Sequence, residues 1–193
     1  IDYYFDGKIN YRKNYKNGVI DSRSTYYYPN GNTKSNGVYA EGRRIGSWQW
    51  YFENGQIDTD SNYENGRYTW IDYYVNGKKK SEGSGIGDGG DGKTDGFTRS
   101  YYANGGLKNE GVKKLGNREG HWIYYDSVTA AKESEGNFKN DKADGKYTWY
   151  KEGKVVEWGY FINGWQETVA NLADSIMVLI EAGKYDLAEG HIK

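Results

Sequence analysis

The sequence predicts an all-β repeat: an elongated, twisted, single-layer antiparallel sheet of about seven tandem β-hairpins, followed by a C-terminal α-helical segment. Three observations predict it. Pairs of neighbouring aromatics recur at intervals of about 22 to 28 residues, the period of stacked repeat architectures. A glycine-bearing turn follows most pairs, and Asn-Gly between β-formers is a strong short-range hairpin signal. Over the last stretch, residues 166–193, both signals disappear.

In chain order the aromatic pairs are Tyr3-Tyr4, Tyr27-Tyr28, Tyr51-Phe52, Tyr73-Tyr74, Tyr101-Tyr102, Tyr124-Tyr125 and Trp149-Tyr150. Turns follow at Asp6-Gly7, Asn30-Gly31, Asn54-Gly55, Asn76-Gly77, Asn104-Gly105 and Glu152-Gly153. A second series falls about ten residues later, at Asn17-Gly18, Glu41-Gly42, Asn65-Gly66 and Asn163-Gly164. Asn-Gly favours a type I′ turn, because both central residues take positive φ. The clearest unit is Ser47–Gly66; Ile1–Asp21 is a degenerate first copy. After Lys80 the fourth unit swells into SEGSGIGDGGDGKTDG, expected as an extended loop on one edge, and DSVTAAKE gives the sixth a longer tip.

Residues 1–165 are therefore expected to form the repeat array, and residues 166–193 a helical cap or the start of a further helical domain. Between Gln166 and Ala182, Val169, Leu172, Ala173, Ile176, Met177, Leu179 and Ile180 fall on a helical stripe, with Gly183 at a capping position.

The 193 residues include 28 Gly, 21 Tyr and 7 Trp but a single Pro and no Cys. Glycine in phase with aromatics punctuates turns, and such a composition points to a thin sheet stabilised by rings. A net charge of −1 with interspersed signs carries no nucleic-acid footprint. No apolar run reaches the roughly 20 residues of a membrane-spanning helix. The chain begins at Ile1 inside a repeat, which reads as a fragment or processed product, so its ends name no compartment.

The pattern aromatic-x-Tyr-Tyr-x-Asn-Gly, a Tyr-x-x-Gly farther on, and Gly-x-x-x-Gly at 42–46, 92–96 and 116–120 resembles the bacterial variant of the MORN repeat. The resemblance spans nearly all of residues 1–165. It implies tandem hairpins in a single layer and non-enzymatic roles, some bacterial members being antitoxin or immunity components; bacterial cytoplasm and cell envelope both fit. The aromatic run before Asn54-Gly55 also resembles choline- and glucan-binding cell-wall repeats, which usually have a shorter period.

Neighbouring strand residues face opposite sides, so each pair gives one ring to each face. Trp48, Trp50 and Phe52 alternate onto one side, expected to be the better buried. The opposite ladder, Tyr27, Tyr51, Tyr73, Tyr101, Tyr124 and Trp149, is the candidate partner-binding surface, because Tyr and Trp supply interface area at low entropic cost. The expected partner is a protein, with a carbohydrate or cell-wall ligand as the alternative from a different class. Asp88, Asp91 and Asp95 lack EF-hand spacing and read as a solvated loop. His121 and His191 lie in separate segments without a nucleophile or metal-ligand pattern. No cofactor and no catalytic residue is expected.

Overall fold

The computed structural model describes residues 1–87 and 92–167. Strands β1 (Asp2–Tyr3), β2 (Ile9–Arg12), β3 (Tyr15–Lys16), β4 (Val19–Ile20), β5 (Ser22–Tyr27) and β6 (Thr33–Ala40) open the chain. Next come β7 (Arg43–Tyr51), β8 (Ile57–Glu64), β9 (Arg67–Tyr73), β10 (Lys79–Ile86), β11 (Lys93–Tyr101) and β12 (Leu107–Lys114). Last are β13 (Asn117–Tyr125), β14 (Lys132–Lys139), β15 (Lys142–Lys151), β16 (Lys154–Ile162) and β17 (Trp165–Gln166). Fifteen strands form one antiparallel sheet whose spatial order follows the chain, with β3 and β4 set aside as a two-stranded ribbon between β2 and β5. No helix occurs among the described residues. Gln166, expected to open the helical segment, instead pairs with Phe161 in β17. Residues 168–193, which carry the rest of that expectation, lie outside the described residues.

The two margins of the sheet use different turns, which corrects the expectation of type I′ geometry throughout. At one margin both central residues have positive φ, as at Asn65 (51°) with Gly66 (72°) and Asn163 (52°) with Gly164 (89°). At the other, only the glycine does: Gly31 has φ 90°, Gly55 87° and Gly105 95°. There the Gly31 amide donates to the Tyr28 carbonyl and the Tyr28 amide to the Asn32 carbonyl, making a three-residue loop closed by a glycine bulge. Asparagine serves its side chain at this margin. Asn30 Oδ1 accepts from the Asn32 amide at 2.9 Å while its Nδ2 donates to the Glu53 carbonyl of the next unit at 3.1 Å. Tyr4, Tyr28, Tyr74 and Tyr102 likewise donate their hydroxyls to the carbonyls of Tyr27, Tyr51, Tyr101 and Tyr125. Glu152-Gly153 departs from its margin, with both residues at positive φ. The sixth tip is longer, as expected: Asp126 Oδ1 gathers the amides of Val128 and Thr129.

The core is a row across one face. Odd strands supply Trp48, Trp70, Trp122 and Tyr147; the even strands between them supply Gly37, Ser61, Gly83, Gly111, Gly136 and Gly159. Each ring lies across a small neighbour. A Cβ on Gly37 would stand 2.1 Å from the Trp48 ring, and one on Gly111 2.4 Å from Trp122. A single layer thereby buries whole indoles: Trp48 is 1% exposed and Trp122 3%. Their N–H groups donate to the Val38 and Val112 carbonyls at 2.9 and 3.0 Å, so neither is buried unpaired.

The same logic corrects the extended loop expected over residues 81–96 at both of its ends, residues 88–91 lying outside the described residues. Residues 81–86 belong to β10 and 93–96 to β11. Gly83 and Gly85 are floor tiles. A Cβ on Gly83 would meet Trp70 at 2.6 Å, and one on Gly85 would meet Tyr68 at 2.4 Å. Low β-propensity describes a residue's own packing, and here the packing is supplied by the strand beside it.

Candidate functional site

Directly paired residues share a face, and by that criterion the six candidate rings divide between the two faces. Tyr27, Tyr51, Tyr73 and Tyr101 lie opposite the Trp48 row, following Tyr26, Trp50, Asp72 and Ser100, which are on it. Tyr124 and Trp149 lie on the Trp48 side, paired through Ser134. The tyrosines equivalent to Tyr51 in the last two units are Tyr125 and Tyr150, the doublet partners of Tyr124 and Trp149. Aligning on the aromatic doublets slips by one residue. Aligning on Gly46, Gly96, Gly120 and Gly145 keeps Tyr51, Tyr101, Tyr125 and Tyr150 each five residues on. Those glycines all have positive φ. They sit where the pairing register shifts, so glycine marks the bulge that sets the register.

On the Tyr51 face the hydroxyls of Tyr51, Tyr101, Tyr125 and Tyr150 are engaged within the sheet. Tyr51 donates to Gln49 Oε1 at 2.8 Å. Tyr101 donates to Glu82 Oε1 at 2.5 Å and Tyr125 to Glu110 Oε1 at 2.8 Å, with Tyr150 bonded to Glu135. Burial and these carboxylates push Tyr101 and Tyr125 up to about 12. Lys79 and Tyr101 hold Glu82 below the usual carboxylate range. Burial works against Glu110, but bonds from Arg99 and Tyr125 leave it below that range as well. This face is a ladder of tyrosine–acid pairs tied to lysine and arginine: Arg99 Nε reaches Glu110 at 2.9 Å and Lys132 reaches Glu135 at 2.8 Å.

The Trp48 face carries two ring clusters. In the first, Tyr39, Trp48 and Trp50 are joined at ring-centroid distances of 4.8 and 5.6 Å, and Tyr63, Tyr68 and Trp70 at 5.4 and 5.7 Å. The Arg44 guanidinium stands 5.1 Å from the Trp48 ring and 5.2 Å from Trp50. The second joins Trp122, Tyr124, Phe138, Tyr147, Trp149 and Phe161, with Arg118 4.0 Å from Phe138 and donating to Tyr124 Oη at 2.8 Å. Between them, Gly83, Thr98, Ser100, Asn109 and Gly111 leave a ring-free strip. Sequence reasoning missed both arginines. The signal that finds them is Arg-x-Gly-x-Trp-x-aromatic-Tyr, at 44–51 and again at 118–125.

An open cleft of about 360 Å³ lies within the first cluster, walled by Trp50, Tyr63, Tyr68 and Trp70 over the hydroxyls of Thr59 and Ser61. Asp58 lines it as well. Burial, followed by the neighbouring Asp72 carboxylate, raises Asp58, against the pull of Lys80. Asp72 accepts from Thr59 Oγ1 at 2.8 Å and from Ser81 Oγ at 2.6 Å.

The remaining candidates are dispersed. Asp95 pairs with Arg67 at 3.5 Å, and His121 Nε2 stands 3.1 Å from Glu135 Oε2. Asp88, Asp91 and His191 lie outside the described residues. Among the described residues no group of three metal-ligating side chains comes together.

No family model matches the chain, and no curated protein matches it. Among solved structures it is similar to part of TarM, at 11% identity and a TM-score of 0.33. That match covers 51% of this chain and 20% of the TarM chain, and a likeness at this level supports no argument about fold or function.

Proposed function

We propose that this protein is a non-catalytic recognition scaffold that binds a protein partner through the Trp48 face. The observation that supports the reading is the contrast between the faces. Opposite the core row, tyrosine hydroxyls are engaged by Gln49, Glu82, Glu110 and Glu135. On the core face, Trp50, Trp70 and Trp149, rings with no hydroxyl to engage, remain half-buried beside deeper rings. Rigid, partly exposed Trp and Tyr are the residues that anchor protein interfaces. An antitoxin or immunity role, in which the sheet covers a partner's working surface, is the concrete form suggested by the MORN resemblance and rests on that resemblance alone.

The test compares face variants in affinity capture from a bacterial lysate, with circular dichroism as the folding control. Trp50→Ala combined with Trp149→Ala should abolish retention of a partner that Tyr51→Ser combined with Tyr101→Ser still retains. Equal retention by both variants, or loss confined to the tyrosine variant, would reject the Trp48 face as the interface.

A further inference from the structure

We infer that Asn17-Gly18 is a site of spontaneous covalent modification, at which the Asn17 side-chain amide cyclises onto the Gly18 nitrogen and reopens as aspartate or isoaspartate. The same dipeptide at the margin of three-residue loops is held out of this reaction by the bonds that stitch neighbouring units. Neither statement depends on which face of the sheet meets a partner.

The chemistry needs only the chain and water. The Gly18 nitrogen, its proton taken by hydroxide or a buffer base, attacks Cγ of Asn17. The new N–Cγ bond closes a five-membered succinimide, the Cγ–Nδ2 bond breaks, and the nitrogen leaves with a proton as ammonia. Water then adds to either ring carbonyl. Opening at the new N–Cγ bond gives aspartate; opening at the original peptide bond gives isoaspartate, whose main chain runs through the side-chain carbon. Glycine after asparagine favours closure, because no Cβ crowds the attacking nitrogen. The step requires a backbone nitrogen free of hydrogen bonding and a side-chain amide free to turn.

Eight Asn-Gly dipeptides occur in the chain, so the dipeptide alone does not rank them. At the stitched margin both reacting groups are occupied. The amides of Gly31, Gly77 and Gly105 donate to the carbonyls of Tyr28, Tyr74 and Tyr102 at 2.8–2.9 Å. The Nδ2 groups of Asn30, Asn76 and Asn104 donate to the Glu53, Ala103 and Ser127 carbonyls of the next unit, at 3.1, 3.0 and 2.8 Å. Their Oδ1 atoms accept from the amides of Asn32, Lys78 and Gly106. In the first unit Asp6 stands at this position, and Lys8 Nζ makes the bond to the Pro29 carbonyl instead, because a carboxylate has no hydrogen to donate. Asn36-Gly37 lies inside β6, with Gly37 beneath the Trp48 ring. The Gly164 amide after Asn163 donates to the Ala143 carbonyl at 2.8 Å, and the Gly66 carbonyl after Asn65 accepts from Gly87 at 2.9 Å. Asn17-Gly18 has none of these ties. Among the described residues neither the Asn17 side chain nor the Gly18 amide has a hydrogen-bond partner, and both residues are exposed. They cap the ribbon of β3 and β4, two residues to a strand and outside the large sheet. A two-stranded ribbon is marginally stable and opens at little cost, which lets Asn17 leave its positive-φ turn for the cyclising geometry.

The experiment incubates the intact chain at mildly alkaline pH, below its melting temperature, and digests timed samples for mass spectrometry. Each dipeptide is followed by its amide-to-acid mass gain. Asn17 should convert at least about tenfold faster than Asn30, Asn76 or Asn104, since each of those must first give up three hydrogen bonds. In guanidinium the spread should collapse, because the dipeptides then share one unfolded environment. Asn17→Gln should remove the fastest product and leave the other rates unchanged. Equal rates at Asn17 and Asn30 in the folded protein would overturn the inference. So would an order of rates that persists in guanidinium, or a fast phase of ammonia release that survives Asn17→Gln.

Discussion

The unit built on Trp48 and the unit built on Trp122 lie 74 residues and six strands apart, roughly 30 Å along the sheet at ordinary strand spacing. On the core face they are near copies. Each lays an indole across a glycine, Gly37 or Gly111, donates its N–H to the carbonyl of the residue after that glycine, and carries an arginine four positions earlier. On the other face they differ. Tyr51 meets the amides of Gln49 and Asn36, whereas Tyr125 meets the carboxylate of Glu110, at the place equivalent to Asn36. The lesson is that close packing constrains chemistry far more tightly than solvent-accessible pairing does. A ring on a glycine admits no substitute at 2.1–2.4 Å, while a hydroxyl accepts whatever oxygen or amide is near.

The equivalence is tested most severely by deleting the rings. Trp48→Ala and Trp122→Ala should each cost about 3–5 kcal/mol, the range for losing a buried aromatic, measured by guanidinium unfolding. A loss near zero for either would show that its burial is incidental. Adding a methyl beneath the rings comes next. Gly37→Ala and Gly111→Ala should each cost about 1–3 kcal/mol through overpacking, read as a lower midpoint in thermal melts. Unchanged midpoints would mean that the indoles can slide aside freely.

The smallest effect concerns the difference between the units. Tyr125 is raised to about 12, so its folded pKa exceeds the unfolded value of about 10. Its contribution to stability is therefore complete below pH 10 and drains away as the pH rises through 12. Glu110→Gln should bring Tyr125 ionisation back towards the ordinary value, seen as earlier growth of phenolate absorbance in an alkaline titration. Titration curves that superimpose would show that the carboxylate does not hold the proton on Tyr125.

Part of the candidate site was legible and part was not, for identifiable reasons. Alternation placed Trp48 and Trp50 together and Tyr51 across from them, because side-chain direction in a strand depends only on parity. Parity was lost at Tyr124 and Trp149, where doublets were matched instead of bulge glycines, and a one-residue slip exchanges faces. Asp58 and Asp72 carried no sequence signal, because they come together from different strands.

The sequence by itself determined the repeat, its period, the hairpin order and the margins at which turns fall, because turn chemistry and alternation are local properties of the chain. Only the tertiary structure decided that Gly83 and Gly85 are sheet, that one Asn-Gly series reaches out to stitch neighbouring units, and which rings share a face. Each of those outcomes depends on what the adjacent strand places against a residue, and that is set by register across the sheet.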